Sequence, residues 1–273
     1  MITIITAPPG AGKTVYMTHK AVTYGFDRDR TRLMQKEIAR KQASGFTSIQ
    51  TIPQHCVSAN YDITMRKFLC SPLHNRRINP YRLGFSNPDV DVHFNLPYEV
   101  ICITEGQKYF NSRMSKYFPD WQSRWFEQHR HLDLVIFIDT QRHDLIDVNI
   151  RSLSQVTEIS KLYVDNDQFG KPCRLIWEVR NFDNAWLYDE YLKSGKRDNT
   201  LYVPDVEIAN YNVFSCYDSQ GCKPKFYDGH FNHDYDYLLS EPTDETLDSY
   251  VEMLRKFDDE LPKKFYKAKG VAA

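Results

Sequence analysis

The first fourteen residues constrain this chain more than any others. Ile2-Thr3-Ile4-Ile5-Thr6 is an apolar, β-branched run that reads as a buried strand. Ala7-Pro8-Pro9-Gly10-Ala11-Gly12-Lys13-Thr14 follows at once and matches G-x-x-x-x-G-K-[ST], except that Ala7 stands where the first Gly is expected. Gly10 and Gly12 let the backbone close around an anion so that successive N–H groups point at phosphate. A helix starting near Lys13 adds its positive end. Lys13 can then reach the β- and γ-phosphates, and the Thr14 hydroxyl can ligate Mg²⁺. Pro9, Gly10, Ala11, Gly12, Lys13 and Thr14 are therefore the candidate residues for binding a nucleotide. Strand, glycine loop and helix in that order predict an α/β fold with a mainly parallel sheet flanked by helices.

The rest of the chain continues that pattern. Asp27 to Ala43 reads as a charged helix with Leu33, Met34, Ile38 and Ala39 on one stripe. Pro53 to Leu96 is broken by Pro and Asn, leaving loops around one strand near Val57–Tyr61. Glu99 to Thr104 and Leu134 to Asp139 are continuous apolar strands with a helix, Trp121 to His129, between them; such strands belong to a sheet covered on both faces. Val156–Val164 and Leu175–Arg180 follow as further strands or as a hairpin around Asn166–Gly170. Past residue 200 the texture changes to Asn, Asp, Tyr and Phe without clear period. A capped helix is expected from Pro242, with Leu247, Val251, Leu254 and Leu261 as its stripe, and then a basic tail, Lys263–Lys269. The expected division is a nucleoside-triphosphatase core over 1–200 and a C-terminal extension over 201–273.

Composition narrows the setting. With 35 Lys+Arg against 36 Asp+Glu, the net charge of −1 excludes a globally basic nucleic-acid coat. The mean hydropathy of −0.58 and short apolar runs argue against a membrane span in these residues. Six scattered Cys and no basic leader before Ile2 suit a reducing cytoplasm.

Hydrolysis needs an acid at the end of another strand to order the metal, and a second group to hold the attacking water. Glu105 lies just past the strand ending at Ile103-Thr104, but Thr104 occupies the place where Asp is usual. Asp139 ends the next apolar strand and is followed by Thr140-Gln141. In parallel sheets ligands sit beyond the carboxyl ends of the strands, so both acids are candidates to face the loop.

At this point several segments taken together resemble the zonular occludens toxin (Zot) family, the P-loop ATPases of filamentous-phage assembly. They are Ala7–Thr14, Glu105-x-Gln107 within Ile101–Phe110, Arg130-His131-x-Asp133, and Thr140-Gln141. The resemblance spans about residues 1–180 by order and spacing. It implies ATP as the nucleotide, Lys13 and Thr14 for phosphate and Mg²⁺, Glu105 as the catalytic carboxylate that orients water, and Gln141 as a γ-phosphate sensor. Thr104 departs from the family's Asp, and Asp139, on the strand expected beside the loop strand, is the candidate to supply the missing charge to the metal. An Arg from a neighbouring subunit completes many such sites; Arg113, Arg124, Arg130 and Arg151 are candidates, with Arg130 slightly favoured. The resemblance further implies a homo-oligomer at the cytoplasmic face of the host inner membrane. Its partners would be phage assembly or coat proteins and single-stranded DNA, and its membrane contact a segment not among these residues.

Other readings stay open. The chain could be a nucleotide-binding assembly scaffold with little hydrolysis, a DNA-translocating packaging motor, or a small-molecule kinase. Cys216, Cys222, His230 and His233 offer zinc ligand types, although the Cys–Cys spacing is not that of a finger or ribbon. Arg76-Arg77 with Tyr81-Arg82 is a small basic–aromatic cluster of a kind that can meet single-stranded nucleic acid.

Overall fold

The structure is a computed structural model, and it describes residues 1–216 except 26–27, 45–55, 62, 66–72, 75, 79, 81–82, 85, 88–91 and 94–96. Eight strands form one sheet. In chain order they are β1 (Ile2–Thr6), β2 (Val57–Ala59), β3 (Arg76–Arg77), β4 (Val100–Ile103), β5 (Val135–Thr140), β6 (Gln155–Asn166), β7 (Pro172–Phe182) and β8 (Val203–Asn210). Their order across the sheet is β8-β7-β6-β1-β5-β4-β2-β3. From β6 to β3 neighbouring strands run parallel, and β7 and β8 are added antiparallel at the other side. The loop strand β1 therefore lies in the interior of the sheet, with β5 on one side and β6 on the other.

The apolar runs of β1, β4 and β5 are buried at every position because each face meets its own core. Ile5, Val100, Cys102, Val135 and Phe137 face the helices α1 (Lys13–Gly25) and α2 (Arg28–Ala43) through Val15, Tyr16, Met17, Met34 and Ile38. Ile4, Ile101, Ile103, Ile136 and Ile138 pack on the other side against Phe110, Trp125, Phe126 and Ile150. Trp125 and Phe126 belong to α3 (Asp120–Gln128), and Ile150 belongs to the short α4 (Val148–Ser152).

The expected hairpin forms between β6 and β7, closed by Asp167, whose Oδ1 accepts from the N–H groups of Phe169 and Lys171, both at 2.9 Å. Two regular elements past Phe182 have no counterpart in the sequence reading. One is α5 (Ala185–Lys193), whose cap Asn184 accepts from the Leu187 N–H at 3.0 Å. The other is β8, in which Val203, Val206 and Ile208 are exposed, so no one-sided apolar alternation marks it. The sheet thus runs to Asn210, past the division expected near residue 200. Thr64–Met65 pairs with Leu73–His74, and Ser86–Asn87 with Val92–His93, within the stretch expected to be loops. The helix expected from Pro242, the Lys263–Lys269 tail and the Tyr81-Arg82 part of the basic cluster lie outside the described residues. Among the described residues no helix is long and apolar enough to cross a membrane.

Candidate active site

The loop from Ala7 to Gly12 leaves the carboxyl end of β1 and enters α1 at Lys13. Gly10 and Gly12 both take positive φ, +79° and +77°. At Gly12 a side chain is excluded twice: an added Cβ would also come within 2.7 Å of Leu162 Cδ2. The Lys13 ammonium is buried and donates to the carbonyls of Ala7 at 3.0 Å and Pro8 at 3.2 Å, so it spans its own loop. The N–H groups of the first turn of α1 have no acceptor within the helix and face the same concavity.

Strand periodicity brings the acids to this point. Successive side chains alternate faces, so Asp139 shares the α1 face with Val135 and Phe137, and Thr104 shares it with Val100 and Cys102. Because β5 lies between β1 and β4, Asp139 is the acid nearer to the loop strand. Asp139 Oδ2 accepts from the Thr14 hydroxyl at 3.1 Å and from the Thr104 hydroxyl at 3.0 Å, and the two hydroxyl oxygens are 3.4 Å apart. Its Oδ1 accepts from the Glu105 N–H at 2.8 Å. The carboxyl is 1% exposed. Burial pushes its pKa up, the hydrogen bonds from Glu105 and Thr104 oppose that, the Glu105 charge adds to it, and Lys13 opposes it.

Two hydroxyls and a carboxylate are the hard oxygen donors that Mg²⁺ takes, usually with one or two carboxylates plus substrate phosphates. Asp139, the one buried carboxylate of this cluster, would gain most from a cation. The donor set therefore fits that ion. Among the described residues no group of three or more His, Cys, Asp or Glu gathers elsewhere as a metal site. Of the zinc-like residues only Cys216 is described.

Glu105 sits at the turn that follows β4, in the left-handed region at φ 56°, ψ 43°. The turn is possible because Gly106 comes next: a Cβ there would lie 2.2 Å from Ile138 Cγ2. Glu105 Oε2 accepts from Gln107 Nε2 at 2.7 Å, and Lys108 Nζ is 3.8 Å from the same oxygen. Gln141 follows the end of β5 and is exposed; the pairing of Thr140 with Thr6 puts it at the loop end of the sheet.

Arg130 is not brought to this cluster. It lies in the turn His129–Leu132 before β5 begins, at the amino ends of the parallel strands. There Met1 donates its amino group to the Leu134 carbonyl at 2.7 Å, and Arg130 is close enough to help lower the pKa of that amino group. The length of the sheet separates it from the loop, roughly 3.3 Å for each strand residue. It could serve only the site of another copy.

Sequence reasoning did not single out Asn60 or the side chains that brace the loop. Asn60 follows β2 and is buried; its Oδ1 accepts from the Thr104 N–H at 2.8 Å, and its Nδ2 donates to the Thr104 carbonyl at 3.1 Å and to the Tyr109 hydroxyl at 3.3 Å. Its one visible signal was a polar residue directly after an apolar strand. Leu162 and Trp177 carry no such signal, since their closeness to Gly12 comes from strand pairing distant in sequence.

No family model matches the chain, and no curated protein does. Among solved structures it is similar to the N-terminal domain of zonular occludens toxin from Neisseria meningitidis, with 18% identity and a TM-score of 0.46 over 80% of this chain and 98% of that one. It is also similar to the genome packaging NTPase B204 from Sulfolobus turreted icosahedral virus 2. The complex of that protein with ATP-gammaS gives 8% identity and a TM-score of 0.30, covering 76% of this chain and 95% of the other. Its complex with AMP gives 8% and 0.33, covering 76% and 96%.

Proposed function

We propose that this chain binds ATP with Mg²⁺ in the loop Ala7–Thr14 and hydrolyses it to drive assembly and extrusion of a filamentous phage. The observation that carries the reading is the convergence of Thr14, Thr104 and the buried carboxylate of Asp139 at the mouth of a glycine loop. The loop N–H groups and the Lys13 ammonium hold the phosphates. Thr14 and Asp139 hold the metal, and Thr104 orders Asp139 or a water beside it. Mg²⁺ held by Thr14 and Asp139 would offset the negative charge that develops on the phosphate oxygens. Glu105 accepts a hydrogen bond from the attacking water, whose oxygen forms the new bond to the γ-phosphorus as the bond to the bridging oxygen breaks. The water's proton leaves to Glu105 or to the transferred phosphate. Gln141, at the loop end beside Thr140, contacts the γ-phosphate. Arg130 acts, if at all, in the site of a neighbouring copy.

The biological setting comes from the motif resemblance. In it the chain works as a homo-oligomer at the cytoplasmic face of the host inner membrane, with phage assembly or coat proteins and single-stranded DNA as partners. The test is steady-state phosphate release from ATP and Mg²⁺ by the chain, Lys13→Ala and Glu105→Gln at several protein concentrations. Turnover by the chain alone is expected, with specific activity rising with concentration. Equal rates for all three proteins, with ATP still bound, would overturn hydrolysis. The second reading, a nucleotide-gated assembly scaffold, would then stand on Thr104, which brings no charge where an acid is usual. Stimulation by DNA would favour a packaging motor.

A further inference from the structure

We propose that Gln107 is the positioning residue for the Glu105 carboxylate, fixing its rotation so that one oxygen stays turned to the attacking water. The proposal rests on the hydrolytic reading above. Glu105 lies on a left-handed turn and its side chain is 33% exposed, so the backbone by itself leaves the carboxylate free to swing. Gln107 removes that freedom: its Nε2 donates to Glu105 Oε2 at 2.7 Å. Lys108, at 3.8 Å, approaches the same Oε2. Among the described residues no hydrogen bond falls on Oε1, which is left to accept from water.

The orientation of the amide points the same way. A carboxylate can only accept, so Gln107 must turn its NH₂ group to Glu105. Its own Oε1 is then buried with no partner among the described residues. An orphaned buried acceptor costs stability, and an apolar side chain of similar size would avoid that cost. The residue therefore gives up stability to hold Glu105.

The decisive variant is Gln107→Leu, which keeps the volume and removes the orphaned oxygen. If Gln107 only filled space, this variant would be at least as stable and fully active. We expect an equal or higher melting temperature and an unchanged affinity for a fluorescent ATP analogue. We also expect KM within twofold and kcat reduced about tenfold, the size of a lost orienting contact. In a Glu105→Ala background the same change should lower kcat no further, because Gln107 acts through Glu105. Independently of turnover, the Gln107 side-chain amide of the ¹⁵N-labelled chain should show one proton shifted downfield, and Glu105→Ala should move it back. A kcat for Gln107→Leu within twofold of the parent, or an amide signal indifferent to Glu105→Ala, overturns the proposal. If the parent releases no phosphate, the hydrolytic reading falls, and the amide signal still decides whether the pairing exists.

Discussion

The two halves of the sheet contain similar residue types and do different work. In the parallel half, β1, β4 and β5 are buried throughout, and both of their faces are covered. The polar groups of Asp139, Thr104 and Glu105 appear only where those strands stop. In the antiparallel half, β6 and β7 bury one face, while the other is covered by α5 only at the Val156–Phe182 end and is open beyond it. Leu175, Trp177 and Val179 are buried against the α1 side, whereas Tyr163, Val206 and Ile208 are exposed on the opposite face. The reason is topological. Parallel strands need crossover helices that cover both faces, and a hairpin needs none. The parallel half therefore ends in a set of chemical groups, and the antiparallel half reaches along the loop and braces it. Leu162 and Trp177 lie where a Cβ added to Gly12 would meet them, at 2.7 and 3.5 Å, and Glu207 of β8 accepts from Tyr16 at 2.6 Å and pairs with Lys20.

This division can be broken in several places. The largest effect is expected from Trp177→Ala, which empties a fully buried site packed edge-on against Tyr16, with ring centroids 5.4 Å apart. Denaturant unfolding should report a loss of about 3–5 kcal/mol. The double change Val206→Thr and Ile208→Thr, on the open face of the same half, should stay within about 0.5 kcal/mol per site. Equal losses would mean that the open face carries packing too.

Asp139→Asn keeps the shape of the site and removes the charge. Mg²⁺-dependent phosphate release should drop on the order of a hundredfold, a loss typical of one preorganised electrostatic group. Activity equal to the parent's would remove Asp139 from the metal site. Gly12→Ala combines a left-handed residue with a contact across the two halves. It should cost about 1–2 kcal/mol from φ alone, read as weaker nucleotide binding by titration. Adding Leu162→Ala should restore part of the loss, since it relieves the contact and leaves the φ strain. No restoration would mean that the hairpin does not brace the loop.

A smaller effect is expected from pH. Burial holds His143 down to about 4, while Asp189, 3.5 Å from Nδ1, pulls the other way. The unfolded chain therefore binds this proton first. The stability gained by keeping the ring neutral is complete above pH 6.5 and is lost as pH falls towards 4. His143→Phe should flatten the stability–pH curve in that window, and an unchanged slope would assign it to other groups. Glu207→Gln should cost about 1 kcal/mol of stability, with turnover within twofold of the parent. A large loss of activity would place the brace inside the chemistry.

Much of the parallel half was legible beforehand. Its strands are continuous apolar runs, its loop has a fixed spacing, and strand ends are where ligands meet parallel sheets, so Lys13, Thr14, Glu105 and Asp139 could be named from pattern alone. The antiparallel half was only partly legible. The β6–β7 hairpin was visible from its turn, but β8 was not, because an edge strand with an open face is under little pressure to alternate. Asn60 and Gln107 had no readable role because each acts through a hydrogen bond to a residue whose position depends on the fold. Arg130 was expected to reach the site of a neighbouring copy, not its own. It sits inside a family-like segment, and it lies at the opposite end of the sheet from the loop.

What local chemistry could settle, the order of residues settled: a glycine loop between a buried strand and a helix, and two acids at strand ends. Which acid meets Thr14 depended on the order of strands across the sheet, with β5 beside β1 and β4 one place further away. That order is set by burying both faces of β1, β4 and β5 at once, a condition on the whole sheet that no single segment contains.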